Sequence, residues 1–381
     1  MPKIGIMELY ADPELIYSQA TLAKHCNADV TIFTTNNLYA RVFPFFNSNQ
    51  DYYTWFLQHE DEKLPHFLSR VKKYCNNNID LLLLNTFYTL PYHQLCYYLF
   101  RPECKTVQVA GRVEYWFGEW QPIKYQPLKT FIFSFLNNIS QIIRKRTLPH
   151  FDGLWVENRD AYDYAISAGY KRKIACLPFL FYTGKNQEYE YSDKLNCITI
   201  GTLNNHRRDY HGLLDVFEKL FESGSRDMSL TLLGAPVGRK GLQIIDRCKN
   251  LIEKGLDINY YTEYVPEEVV NQGISSADII LNPNSATMYG TGTFGAIMKA
   301  MQFAKPGIYP VNSLRHEDLI SSSLFYQKIE ELPEILINLA KNPEYLKKIS
   351  KNAVVNAKKF SLDKVALSFQ ELVIESHLAS L

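Results

Sequence analysis

Short apolar runs alternate with stretches of helical period along the whole chain. In the first half the apolar runs are Lys3 to Leu9, Asp29 to Thr34, Ile79 to Asn85, Lys105 to Ala110, Gly153 to Glu157 and Lys173 to Pro178. Each predicts a buried strand. Between them lie helical patterns near 13–26, 61–75, 91–100, 127–146 and 159–168. Such alternation predicts βαβ units and a parallel sheet. The stretch 182–194 is polar and reads as a linker. The alternation then restarts. Strands are predicted at Cys197 to Gly201, Leu230 to Gly234, Ile258 to Tyr261, Ile279 to Leu281 and Gly307 to Pro310. Helices are predicted near 210–223, 241–255, 266–274, 293–304, 331–341 and 343–359, with an amphipathic helix over about 362–379. The fold class is therefore α/β, with two Rossmann-like doubly wound domains. The expected boundaries are 1–182 for the first domain, 183–195 for the linker, 196–360 for the second domain and 361–381 for a terminal helix. Two such domains would face each other across a ligand cleft over the carboxyl ends of their strands.

Composition narrows the class. A chain of 381 residues exceeds one ordinary core and fits two domains. Hydrophobic residues make up 46% and charged residues 21%, as in soluble enzymes. The net charge of +1 gives no case for a nucleic-acid partner. Seven cysteines without a C-x-x-C spacing read as free thiols in a reducing cytosol. The first residues lack the apolar core of a signal peptide, and no run of about 18 apolar residues occurs. A cytoplasmic protein is expected.

Three loops of the second half carry candidate chemistry. Tyr289-Gly-Thr-Gly-Thr-Phe-Gly295 links an apolar strand to a helix. Its glycines leave backbone N–H groups open at the positive end of a helix dipole, where phosphate binds. Gly290, Thr291, Gly292 and Thr293 are its candidate contacts. A second loop follows Gly201 and carries Arg207 and Arg208 just before a helix. Arginine suits a bidentate grip on phosphate. The third follows Gly234 and carries Arg239 and Lys240. For each basic loop a solvated surface turn is the competing reading.

With these pieces the second half resembles the donor domain of retaining GT-B glycosyltransferases of the family-4 group. The resemblance is carried by Ile200-Gly201, Arg208, Leu233-Gly234, Glu263-Tyr264 to Val269, Ala277-Asp278 to Pro283, Thr291 to Gly295 and Lys299 to Pro306. It covers about residues 196–360. It extends weakly to Gly153–Asn158 and Ile174–Pro178, and the last helix resembles one that crosses back to the first domain. Some positions depart from the pattern. The family's paired glutamates, E-x7-E, fall on Thr291 and Lys299, and its arginine after the first glycine falls on Thr202. The resemblance implies a donor site formed by Gly201, Arg207, Arg208, Gly234, Tyr264, Gly290, Thr291, Gly292, Thr293 and Lys299. Lys299 has two readings, a charge near the diphosphate or a solvated helix lysine.

In the first half, strand ends place Glu8, Arg112 and Glu114 as candidate catalytic residues. A carboxylate there would polarise an acceptor hydroxyl; a salt-bridged loop pair is the other reading of Arg112 and Glu114. The resemblance implies transfer from a nucleotide-diphosphate sugar to a glycan or lipid-linked acceptor, with retention and with no cofactor. No H-x-H or H-x-x-x-H pair offers a metal site. The stretch 128–146 is aromatic at one end and basic at the other. It fits either peripheral contact with the inner face of a membrane or an ordinary helix packed on the first sheet. Two other functions remain open: a nucleotide- or partner-binding protein without turnover, and another GT-B enzyme such as a sugar-nucleotide epimerase.

Overall fold

The computed structural model describes residues 1–10, 12–85, 90–117, 128–182, 184, 194–204, 208–284, 295–311, 313 and 317–378, the side chains of 47–51, 128–131, 133 and 134 aside. It contains two compact units. The first holds Met1–Leu180 and Leu362–Leu381, and the second holds the described residues between Phe181 and Ser361.

The first unit is built on seven strands: β1 (Lys3–Met7), β2 (Asp29–Thr35), β3 (Thr54–Gln58), β4 (Leu81–Leu84), β5 (Lys105–Ala110), β6 (Gly153–Val156) and β7 (Lys173–Cys176). Their order is β3-β2-β1-β4-β5-β6-β7, and all are parallel. Its helices are α1 (Pro13–His25), α2 (Asn36–Val42), α3 (Leu64–Asn78), α4 (Pro91–Leu99), α5 (Glu114–Phe117), α6 (Leu128–Thr147) and α7 (Arg159–Ser167). Local chemistry sets the helix starts. Asp12 accepts a bond from the Leu15 N–H at 3.1 Å, Pro13 opens α1, and Lys24 and His25 sit in its last turn. Asn158 caps α7 through the Ala161 N–H at 2.9 Å. The four leucines of β4 are buried, as a central parallel strand requires.

The second unit has six parallel strands: β8 (Leu195–Ile200), β9 (Met228–Leu233), β10 (Ile258–Tyr260), β11 (Ile279–Leu281), β12 (Gly307–Pro310) and β13 (Ser323–Tyr326). They run β10-β9-β8-β11-β12-β13. The helices α8 (Tyr210–Glu222), α9 (Gly238–Glu253), α10 (Glu267–Ser276), α11 (Gly295–Gln302), α12 (Leu332–Lys341) and α13 (Pro343–Ala357) surround the sheet. One core lies between β8, β9 and helices α8, α9 and α12. A smaller one gathers Leu233, Ile274, Ile280, Ala296 and Ala300.

After Ser361 the chain forms α14 (Leu362–Phe369), a wide π turn over Gln370–Glu375 and the short α15 (Ser376–Leu378). These belong to the first unit. Phe369 packs on Trp155 with ring centroids 5.3 Å apart, and the Cys26 Sγ lies 3.3 Å from the Ala366 carbonyl.

The expected α/β fold with two parallel sheets is present. Among the described helices and strands, α2, α5, β3 and β13 were not expected. Both of those strands are sheet edges. Nearly all their residues are only part-buried, so their apolar signal is weak. All seven cysteines are free thiols.

Candidate functional site

In a doubly wound sheet, ligands sit where the strand order reverses, beyond the carboxyl ends of the two strands at that point. In the second unit those strands are β8 and β11. β8 runs into Gly201, which has a φ of +113°, open to glycine and strained for other residues. The Arg208 side chain lies over it. A Cβ on Gly201 would come within 2.6 Å of Arg208 Nη2. Arg208 also forms an antiparallel bridge with Asn284, just past β11, and the Asp209 N–H donates to the Pro283 carbonyl at 2.7 Å. The arginine therefore spans the two strands at the reversal point. Its Nε is buried and makes no hydrogen bond among the described residues. No carboxylate among them pairs with it.

The neighbouring loop is held tightly against this one. Gly201 N–H donates to the Leu233 carbonyl at 2.8 Å, Leu203 N–H to the Ala235 carbonyl at 3.0 Å, and Val237 N–H to the Leu203 carbonyl at 2.9 Å. At Gly234 a Cβ would lie 2.1 Å from the Gly201 oxygen, so the approach requires glycine. The Tyr210 hydroxyl, buried at the start of α8, reaches the Gly201 and Thr202 carbonyls at 3.0 and 3.3 Å. Asp209 caps α8 by accepting from the Gly212 N–H at 2.9 Å. Helix α9 begins at Gly238 with no side-chain cap, no acidic residue in its first turn, and Arg239 and Lys240 beside its open N–H groups. Arg208 and the uncapped start of α9 present positive charge and helix N–H donors, and no carboxylate among the described residues pairs with Arg208.

Past β11 two asparagines complete the floor. Asn284 and Asn282 are buried, and their side chains hydrogen-bond to each other. That leaves Asn282 Nδ2 and Asn284 Oδ1 without partners among the described residues. The Tyr326 hydroxyl donates to the Asn282 carbonyl at 3.1 Å. Sequence reading passed over this pair. Its signal was Asn-Pro-Asn directly after the apolar triad of β11.

Of the residues expected from sequence, Gly201, Arg208 and Gly234 come together. Tyr264 is 71% exposed. Lys299 is not a solvated lysine. It is buried, and its Nζ lies 2.6 Å from Glu267 Oε1 and 5.7 Å from the Phe303 ring. Helices α10 and α11 thus share an internal ion pair at the position of the family's second glutamate. Arg207, Gly290, Thr291, Gly292 and Thr293 lie outside the described residues.

In the first unit the strand order reverses between β1 and β4. Glu8 sits just past β1, fully buried, and accepts from the Tyr10 N–H at 2.8 Å. Asn85 follows β4 and exchanges two amide bonds with Gln19, both 2.8 Å. Gln108 Nε2 donates to the Asn85 carbonyl at 2.9 Å, while its Oε1 has no partner among the described residues. Past β5, Arg112 bonds the Tyr115 hydroxyl and stacks 5.3 Å from that ring, and Arg144 of α6 lies 5.6 Å from the same ring. Glu114 is half-buried at the first position of α5.

No family model and no curated protein matches the chain. Solved structures do. Anabaena HepE, crystallised with UDP and glucose, is 12% identical with a TM-score of 0.68, and each chain is covered over 100%. A glycosyltransferase from Rickettsia africae is 12% identical with a TM-score of 0.67 over 98% of each chain. A Listeria monocytogenes protein assigned as a UDP-N-acetylglucosamine 2-epimerase is 15% identical with a TM-score of 0.57, covering 100% of this chain and 98% of that one. The fold is GT-B. At these identities the likeness carries the fold and leaves the chemistry to the site itself.

Proposed function

We propose that the protein is a glycosyltransferase that moves a sugar from a nucleotide-diphosphate donor to a glycan or lipid-linked acceptor, with retention and without a metal. The observation that carries this reading is Arg208, laid across Gly201 at the reversal point of the second sheet with its Nε unsatisfied. A buried donor without an acceptor costs about 1–3 kcal/mol. A diphosphate oxygen would recover that cost through charge-assisted bonds.

On this reading Arg208 and the open start of α9 stabilise the departing diphosphate. Gly201 and Gly234 let the backbone approach it. The negative charge that builds on the leaving group meets donors already in place, which is electrostatic preorganisation. Little covalent chemistry is then asked of the protein beyond orienting the acceptor. Glu8 or Glu114 of the first unit would accept a hydrogen bond from the acceptor hydroxyl. Thr291 and Tyr264 remain donor candidates on the strength of the resemblance.

The Lys299–Glu267 pair favours a second reading. Where the family places a carboxylate for the ribose hydroxyls, this chain has a lysine already bound to one. A protein that holds a nucleotide without turning it over fits that change as well, and the neighbour assigned as an epimerase shares the fold.

The test is thermal stabilisation by a panel of nucleotides and nucleotide sugars, with Arg208→Ala as control. A ligand at about a hundred times its Kd adds about 2.7 kcal/mol. A shift with one diphosphate nucleotide, lost in the variant, is the expected outcome. No shift with any of them sinks the donor site. Binding without transfer or hydrolysis selects the second reading.

A further inference from the structure

Helices α4 and α6 pack side by side in the first unit and share an unusual polarity. A helix on a globular core turns its apolar stripe inward. These two depart from that: their buried sides are largely polar, and several large apolar side chains face out. In α6 the buried side chains include Asn138, Ser140, Gln141, Arg144 and Thr147. Its outward side carries Ile132 and Ile142, 49% and 44% exposed. In α4, Gln94 and Tyr97 are buried while Tyr92, Leu95 and Leu99 face out. Their spacing of three and four residues makes one stripe, and Leu99 is 66% exposed. The apolar faces are therefore turned outward on adjacent helices.

Charge says what covers them. Neither helix contains an aspartate or glutamate. Helix α6 ends in Arg144-Lys145-Arg146, and Lys145 and Arg146 are exposed. An apolar and aromatic surface bordered by cations, with no carboxylate, suits an anionic lipid surface. It does not suit a second copy of itself, since a symmetric contact would bring two carboxylate-free cationic faces together. No helix among the described residues is long and apolar enough to cross a membrane, so contact would be at the surface. We infer that α4 and α6 form one docking face for an anionic membrane. The inference rests on the proposed transferase reading only in supplying a lipid-borne acceptor, and the face itself is separate from the donor loops.

The experiment is co-sedimentation of the full chain with vesicles of about one-third phosphatidylglycerol in phosphatidylcholine, and with phosphatidylcholine alone. Binding to the anionic vesicles, weakened at least tenfold by high salt, is expected. Leu99→Glu with Ile142→Glu should lower it at least tenfold with the melting temperature kept. Lys145→Glu with Arg146→Glu, which leaves the apolar stripe intact, should remove the salt-dependent part. The nucleotide-induced thermal shift should be the same in all of these proteins, so failure here and failure of the donor site are separately visible. Absence of binding to anionic vesicles overturns the inference. So does a concentration-dependent dimer, measured by light scattering, that the Leu99→Glu/Ile142→Glu variant abolishes.

Discussion

The two sheets reverse their strand order in the same way, yet they furnish the reversal point with opposite chemistry. Past β8 and β11 the second unit offers an arginine, two glycines and open N–H groups. Past β1 and β4 the first unit offers a buried carboxylate, Glu8, and a set of interlocked amides, Gln19, Asn85 and Gln108. One place suits multiply charged oxygen anions. The other suits neutral groups that both donate and accept, as sugar hydroxyls do. The topology is the same in both units, and the few residues after each strand differ in kind.

The sharpest break of this comparison is steric. Gly234→Ala puts a methyl 2.1 Å from the Gly201 oxygen and must push two loops apart. A loss of about 3 kcal/mol is expected in chemical denaturation. A loss near zero would show that the loops tolerate a wider gap than the hydrogen bonds between them suggest.

Next comes charge. Arg208→Ala should weaken a diphosphate nucleotide by about 2–3 kcal/mol, roughly thirty- to a hundred-and-fortyfold, read by calorimetry. Stability should not fall, because the side chain leaves a buried unsatisfied nitrogen in the free protein. Arg208→Lys should recover only part of the affinity, having lost the planar fork. A destabilised Arg208→Ala with unchanged affinity would make the arginine a structural clamp.

Lys299→Met separates fold from function within the second unit. It breaks the pair with Glu267 and should cost about 2 kcal/mol while nucleotide affinity stays within twofold. Lost affinity in a stable variant would return Lys299 to the donor site.

The smallest effect concerns the first unit. His377 is buried, and desolvation pushes its pKa below the ordinary histidine value of about 6.5. Its Nδ1 lies 2.8 Å from the Val373 carbonyl, and Nε2 faces Gly153 with no partner among the described residues. The unfolded chain binds this proton more readily than the folded one. Stability is therefore full above about pH 6.5 and declines as pH falls through the range between the two pKa values. Urea denaturation at two pH values should show the decline, and His377→Gln should flatten it.

The central strands were legible because parallel strands buried on both faces read as apolar runs, as Leu81 to Leu84 do. The strands β3 and β13 were not, because nearly all their residues are only part-buried, while the other two edge strands, β7 and β10, were legible. The stretch from Phe43 to Tyr52 is aromatic without a clear period, and it folds as 3-10 turns. Gly201, Arg208 and Gly234 were readable as punctuation at strand ends. The Lys299–Glu267 pair was not, since the partners are 32 residues apart and only packing of α10 on α11 joins them. The reversed polarity of α4 and α6 was also hidden. Period reveals an amphipathic helix but not which side faces the core.

The return of the chain after Ser361 sets an order of assembly. The described residues of the second unit lie between Phe181 and Ser361, and its ends meet where the Tyr182 N–H donates to the Phe360 carbonyl at 2.8 Å. The first unit is not continuous. Phe369, Val373 and His377 are buried in it, yet they are made after the whole second unit. At about 5–20 residues per second, the face of Trp155 that Phe369 covers waits roughly 10–40 s on the ribosome. The half that begins first is the half that finishes last, and it is the one exposed to aggregation and to chaperones in the interval.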